Sequence, residues 1–215
     1  MKLTISLPEI EHVKDALRAA LPDVKSSHRV EAMARGFGWR THATMRAALA
    51  GGSIEVRADE DAFVAYLREH SFDAPSGCLT RALATAGIRR AMEMEPTLSR
   101  FGFGMPWEPK RSVEERRATF RENRTAMLGM SSVDEFVRAA EFLSRFGRRR
   151  TINTKQGSYG LKHDAEKFTG DYVANGMLIA AALALGFTAK PTDAGSPNAF
   201  FNISSKVQND KAAGR

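Results

Sequence analysis

Asn175-Gly-Met-Leu-Ile-Ala-Ala-Ala-Leu-Ala-Leu-Gly-Phe187 is the most apolar stretch of the chain. From Met177 to Leu185 it contains no polar side chain, so a helix through it has no face to offer water and must be buried. Asn175 stands where an N-cap belongs and Gly186 where a left-handed C-terminal glycine belongs, which predicts a helix over 176–185. The run is far shorter than the ~20 residues that span a bilayer. It is therefore read as the core of a soluble, mostly helical fold with minor β structure.

On either side of this helix the pattern changes. Residues 187–190 and 198–204 read as two strands joined across Pro191 and Pro197, a long C-terminal hairpin. Upstream, Ser158 is placed to cap a helix through Phe168, with Leu161, Ala165 and Phe168 inward. Ser132 with Glu135 has capping-box spacing and opens a helix whose face is Val133, Phe136, Val137, Ala140 and Leu143, closed by Gly147. Ser112 with Glu115 opens a charged helix to about Leu128 in the same way. Three helices and a hairpin resemble the order of elements in a winged-helix domain. The usual docking of such a domain, a third helix read into a groove, fails here because that helix has no polar face.

Arg148-Arg-Arg-Thr-Ile-Asn-Thr-Lys-Gln-Gly-Ser-Tyr-Gly-Leu-Lys-His163 carries five fixed positive charges and no acid, and reads as a basic loop. Arg145 and the three arginines suit the negative end of the preceding helix. Three consecutive arginines followed by Thr151, Asn153, Thr154 and Lys155 exceed what capping requires. Guanidinium, hydroxyl and amide groups are the inventory that contacts backbone phosphates. Arg148, Arg149, Arg150, Lys155 and Lys162 are the candidate anion ligands, with a solvated loop and a protein contact as competing readings. His163-Asp164 near Ser158 supplies the residue types of a catalytic triad. Adjacent helical residues point in different directions, so His163 is read as a surface histidine.

The N-terminal half begins with alternation of Leu3, Ile5 and Leu7 against Lys2, Thr4 and Ser6, a strand ended by Pro8. Ile54 and Val56 mark a second strand able to pair with it. Ile10, Val13, Leu17 and Leu21 share a helical face, Ser27 caps a helix closed by Gly36, and Asp59 caps another with Phe63, Val64 and Leu67 inward. A longer helix runs from about Cys78 to Glu95, where Pro96 stops it. Two short helices joined through Gly38 fit a helix-turn-helix over 28–49. Arg40, Thr41, His42, Thr44 and Arg46 would then be the polar residues of its second helix, able to reach phosphates or base edges. Thr44 and Ala47 stand where larger apolar residues are usual, and a plain helical hairpin is the competing reading.

Leu17-Arg-Ala-Ala-Leu21, Ser26-Ser-His28, Ala34-Arg-Gly-Phe-Gly-Trp39 and Ala47-Ala-Leu49 together resemble a small helical module attached to some glyoxalase-superfamily proteins. The resemblance covers residues 17–49 and implies a helical module without a site, since the rest of the chain has no metal-ligand pattern of a glyoxalase enzyme.

Residues 99–111 interleave Phe101, Phe103 and Trp107 with glycine, proline and basic residues. Phe101-Gly-Phe103 is similar to the aromatic core of an RNA-recognition strand, but Gly104 and Pro106 break a strand there, and a hinge is the better account. The expected organisation is therefore an N-terminal helical subdomain over 1–96, a hinge over 97–111, a C-terminal subdomain over 112–205 and a disordered tail over 206–215. The net charge of +7 favours nucleic acid, duplex DNA first, or an acidic protein as partner. Cys78 is the only cysteine, so no intrachain disulfide forms. No secretory leader pattern, zinc spacing, phosphate-binding glycine loop, dinucleotide fingerprint or nucleophile elbow is present, and no cofactor or membrane is expected. The expected function is a cytoplasmic, non-enzymatic nucleic-acid-binding protein. The alternatives are an inhibitor or adaptor anchored by Phe101, Phe103 and Trp107, and an enzyme with an unrecognised site.

Overall fold

A computed structural model describes residues 1–105 and 108–207, so Trp107 and residues 208–215 of the expected tail lie outside the described residues. The chain divides into two compact units, Met1–Arg90 and Ala91–Arg215. The fold is mostly helical with small sheets, as the periodicities predict.

In the first unit, β1 (Lys2–Ile5) is followed by α1 (Leu7–Ala20), α2 (Ser26–Gly36), α3 (His42–Ala50), β2 (Ile54–Arg57), α4 (Glu60–Glu69) and the start of α5 (Cys78–Met94), which contains the division between the units. The expected strand pairing is present: β1 and β2 are antiparallel, with Leu3 opposite Val56 and Ile5 opposite Ile54. Helix α1 starts where Glu9 turns back to accept from the Ser6 backbone N–H at 2.8 Å, a capping box around Pro8. Ile10, Val13 and Leu17 of α1, Met33 of α2, Met45 of α3, Phe63 and Leu67 of α4 and Leu79 of α5 are all buried together with Leu3 and Val56. Gly36 is the close-approach point: a Cβ there would lie 2.3 Å from Leu79 Cδ2 and 3.0 Å from Phe63 Cβ. Only glycine lets α2 seat so near its neighbours.

The second unit continues with β3 (Leu98–Ser99) and β4 (Gly102–Phe103), then α6 (Val113–Ala126), α7 (Met130–Leu143), β5 (Phe146–Gly157), α8 (Ser158–Thr169), α9 (Asn175–Ala184), β6 (Ala189–Pro191) and β7 (Ala199–Val207). All ten residues of α9 are buried, as its composition demands. The three helices and the hairpin follow one another in the expected order. What was read as a basic loop is instead a twelve-residue strand, β5, and the sheet has three strands in the order β5-β7-β6. β-branched Thr151, Ile152 and Thr154 suit an extended backbone better than a loop. Strand β7 alternates Ala199, Phe201 and Ile203 inward with Phe200, Asn202 and Ser204 outward, which covers the core with one face of the sheet. Lys206 and Val207 belong to β7, not to a tail.

Four expected N-caps are corrected: Ser27 and Asn175 lie inside α2 and α9, whose N-caps are Lys25 and Ala174, and Ser132 and Ser158 take other partners. Helix α7 begins at Met130 after Gly129, so Ser132 and Glu135 lie inside it, both buried. They serve Arg100 in the β3–β4 turn: its Nε donates to Ser132 Oγ at 3.1 Å and its Nη2 to Glu135. Ser158 is the first helical residue of α8, and its fully buried Oγ accepts from Ala199 N–H at 3.0 Å, joining α8 to β7. The Ser112–Glu115 box at the start of α6 is as expected. Phe168, expected inward, is exposed and carries the Arg145 guanidinium 4.3 Å from its ring centroid.

Candidate nucleic-acid interface

Strand β5 lies at an edge of its sheet, hydrogen-bonded to β7 on one side only. Its register against β7 shifts between Phe146 and Arg148, between Arg148 and Asn153, and between Asn153 and Gly157. Each shift leaves residues out of the regular ladder, and side-chain amides close the gaps. Buried Asn153 donates from Nδ2 to Ile203 O at 3.2 Å, and its Oδ1 accepts from Lys155 N–H at 3.1 Å. From β7, Asn202 Nδ2 donates to Arg149 O at 3.0 Å, which fixes the backbone between the three arginines.

Arg148, Arg149, Arg150 and Lys155 are all exposed on this strand. Arg148 reaches the end of α9, with Nη1 at 3.5 Å from Gly186 O. Among the described residues, the ion pairs of this unit include those of Arg100, Arg111, Arg138, Lys162 and His163, and none engages a cation of β5. Four cations thus stand on an edge strand without a carboxylate partner among the described residues. Two physical accounts fit. Charge on an edge strand discourages pairing with another chain's edge. The same unpaired guanidinium groups suit phosphate oxygens.

Lys162 does not share this surface. It is 6% exposed, and its Nζ donates to Glu166 Oε1 at 2.8 Å. The remaining candidates belong to the first unit. Arg40 precedes α3 and is exposed, and Arg46 is exposed on the helix itself. Thr41 is the N-cap of α3, accepting from Thr44 N–H at 3.2 Å. His42 opens α3 with its N–H donated to Glu31 Oε2 at 3.0 Å. Burial, with Lys14 and Arg46 nearby, holds its imidazole below the ordinary histidine range against the pull of Glu31. A histidine so placed adds no cation near neutral pH. The α2–α3 pair and its turn at Gly38, with φ of 88°, are present. The outward face of α3 carries Ala43, Thr44, Arg46 and Ala47, few groups with which to read bases.

The catalytic residue types are placed apart in role. Ser158 Oγ is spent on Ala199, and Asp164 accepts from Gln156 Nε2 at 2.6 Å. His163 Nδ1 lies 2.7 Å from Glu166 Oε2. Burial pushes the Glu166 carboxyl up, but hydrogen bonds from Lys162, Val173 N–H and His163 outweigh it and leave it below the usual carboxylate range. A carboxylate so held is a structural anion rather than a proton acceptor. Phe103 is buried and Phe101 exposed, so these two do not form one aromatic anchor.

Sequence reasoning missed Arg100, Tyr159 and Tyr172, which gather around Lys162. The one signal available was that Tyr159 shares α8 with Lys162 and Tyr172 follows the end of that helix. A scan against protein-family models, a search of curated proteins and a search of solved structures each find no match to this chain.

Proposed function

We propose that the chain is a nucleic-acid-binding protein that grips the sugar-phosphate backbone with β5. The observation that supports this reading is the set Arg148, Arg149, Arg150 and Lys155, exposed on a sheet edge without carboxylate partners among the described residues. The net charge of +7 adds long-range attraction for a polyanion. Backbone contacts of this kind position a protein on nucleic acid without reading sequence. Buried α9 is unable to enter a groove, and α3 offers Arg46 alone as a long cation. Arg40 and Arg46 would supplement the grip. The resemblance of residues 17–49 to a helical accessory module adds no site to this reading.

The test is the salt dependence of affinity for a generic oligonucleotide. Neutralising about four phosphates predicts a slope of log K against log[salt] near −3.6 on a duplex and near −2.8 on a single strand. Binding that ignores salt removes the proposal. An acidic protein would be attracted by the same cations, and a pull-down after nuclease treatment separates the two partners.

A further inference from the structure

The second unit contains a cavity of about 310 Å³ whose lining includes Arg100, Phe101, Tyr159, Lys162, Tyr172 and Asn175. We infer that this cavity receives one unpaired nucleotide of a nucleic-acid strand, its base on a tyrosine ring and its phosphate on Lys162 and Arg100. The inference rests on the reading of β5 as a backbone grip and narrows its ligand to nucleic acid with unpaired bases.

The cations come first. Glu135 accepts from Ala174 N–H at 2.9 Å and from Arg100, while Glu166 accepts from Val173 N–H at 3.2 Å and from Lys162. Consecutive amides at the entry to α9 thus anchor two carboxylates, and each carboxylate anchors one cation at the cavity. Neither cation is used up. An ammonium has three donors, and Lys162 gives one to Glu166. A guanidinium has five, and Arg100 gives one to Ser132 and one to Glu135. Fixed donors with unspent N–H groups are preorganised for an anion, because the ordering cost is already met by the fold.

The rings come second. Among the described residues four aromatic side chains are exposed, and three of them, Phe101, Tyr159 and Tyr172, line this one cavity. Tyr159 and Tyr172 are each more than half exposed; His163 meets Tyr159 edge-on with centroids 4.7 Å apart, and the Arg100 guanidinium stands 5.8 Å from the Tyr172 centroid. Lys162 Nζ stands 5.5 Å from the Tyr159 centroid and 4.9 Å from the Tyr172 centroid, so a base laid on either ring has a cation beside it. Exposed rings interleaved with cations are the combination that holds single strands, and base stacking on them tolerates any sequence.

The wall is rigid. Asn175 Nδ2 donates to Phe101 O, Pro197 O and Asn198 Oδ1 at 3.1–3.3 Å, tying the β3–β4 turn and the β6–β7 loop to α9. Its Oδ1 is buried without a partner among the described residues, an unmet acceptor in the lining. A cavity of this size is at the small end of ligand sites, enough for one nucleotide and not for a duplex. Strand β5 runs directly into α8, so a strand gripped by β5 is led toward Tyr159.

The experiment compares full-length wild type with Tyr159→Ala, Tyr172→Ala and Tyr172→Phe, all at exposed positions that leave the core intact. Affinities for a fluorescent oligothymidylate and for a hairpin-closed duplex are measured by anisotropy, and ring resonances are followed by NMR on adding uridine monophosphate. The expected result is tighter binding of the single strand, a loss of about 10-fold in each alanine variant, recovery in Tyr172→Phe, and no change on the duplex. Shifts of the Tyr159 and Tyr172 resonances with the mononucleotide are expected as well. Equal affinity for strand and duplex, unmoved by the tyrosine variants, together with silent ring resonances, overturns the cavity while leaving the β5 grip standing. Failure of the β5 reading looks different: neither polymer binds in a salt-dependent way, while the mononucleotide still shifts the rings.

Discussion

Arg100, in a two-residue turn between β3 and β4, is bonded to Glu135, a carboxylate only 4% exposed on α7. Thirty-five residues separate them in the chain. The pair fixes the turn against α7, and Glu135 passes the constraint on to the start of α9 through Ala174 N–H. Removing one partner of such a pair costs more than removing both, because a buried charge is left without compensation. Arg100→Ala is therefore expected to destabilise the protein by about 3 kcal/mol. The double variant Arg100→Ala/Glu135→Ala should lose less than the two single losses added together. Urea unfolding of the three proteins measures the coupling, and simple additivity would show that the two residues are not coupled.

Gly176 makes the same junction from the other side. A Cβ there would sit 1.9 Å from Ser99 O and 2.8 Å from the Arg100 carbonyl carbon, both backbone atoms that have no rotamer to yield. Gly176 N–H also donates to Arg100 O at 3.1 Å. Gly176→Ala is expected to cost about 3 kcal/mol by forcing α9 away from the β3–β4 turn. Thermal unfolding checks this, and a variant as stable as wild type would mean that the turn moves freely.

Glu166 links the cavity to pH. Its folded value is depressed, so the unfolded chain binds a proton more readily, and stability rises with pH where the two states differ. The contribution is complete above the ordinary carboxylate value of 4.5 and is lost as pH falls through the lower folded value. Glu166→Gln should therefore be less stable than wild type at pH 7 and approach it in acid, well below the ordinary carboxylate value of 4.5. Denaturation at the two pH values reads the difference. A penalty that stays constant in acid would assign the loss to packing instead.

Cys78 opens α5 with its side chain buried, and burial followed by the charge of Glu60 pushes its thiol up to about 11. The thiolate is the reactive form, so almost none is present at pH 8. A thiol reagent is expected to leave the native protein unmodified at that pH and to label it on addition of denaturant. Fast labelling without denaturant would mean that the start of α5 opens readily.

Much of this architecture is legible from local pattern. Helix α9 follows from a run without polar residues, β1 and β2 from period-two alternation, and the start of α6 from Ser112 and Glu115. Strand β5 was hidden because its burial does not alternate: an irregular edge strand leaves Arg148, Arg149 and Arg150 all exposed, and register shifts remove the period. Ser132 and Glu135 have the spacing of a cap, yet their partner is Arg100, which no local pattern can supply. The cavity gathers residues from Arg100 to Asn198, a set that only the folded chain brings together.

Arg148, Arg149 and Arg150 have two explanations, and one substitution separates them. If the charges only keep the β5 edge from pairing with other chains, their sign is immaterial, since acids protect an edge as bases do. If they hold phosphates, sign is everything. Arg148→Glu/Arg149→Glu/Arg150→Glu is expected to remain soluble and folded, because all three side chains are exposed and form no ion pair with a described residue. Its affinity for an oligonucleotide should fall at least 100-fold near 0.1 M salt, with the salt slope on a duplex reduced by about 2.7. The replacement Arg148→Ala/Arg149→Ala/Arg150→Ala is the complementary case, expected to lose binding and also to aggregate more readily. Sedimentation velocity reports the second property and anisotropy titration the first. A reversed variant that still binds nucleic acid with the wild-type salt slope would leave edge protection as the role of the three arginines.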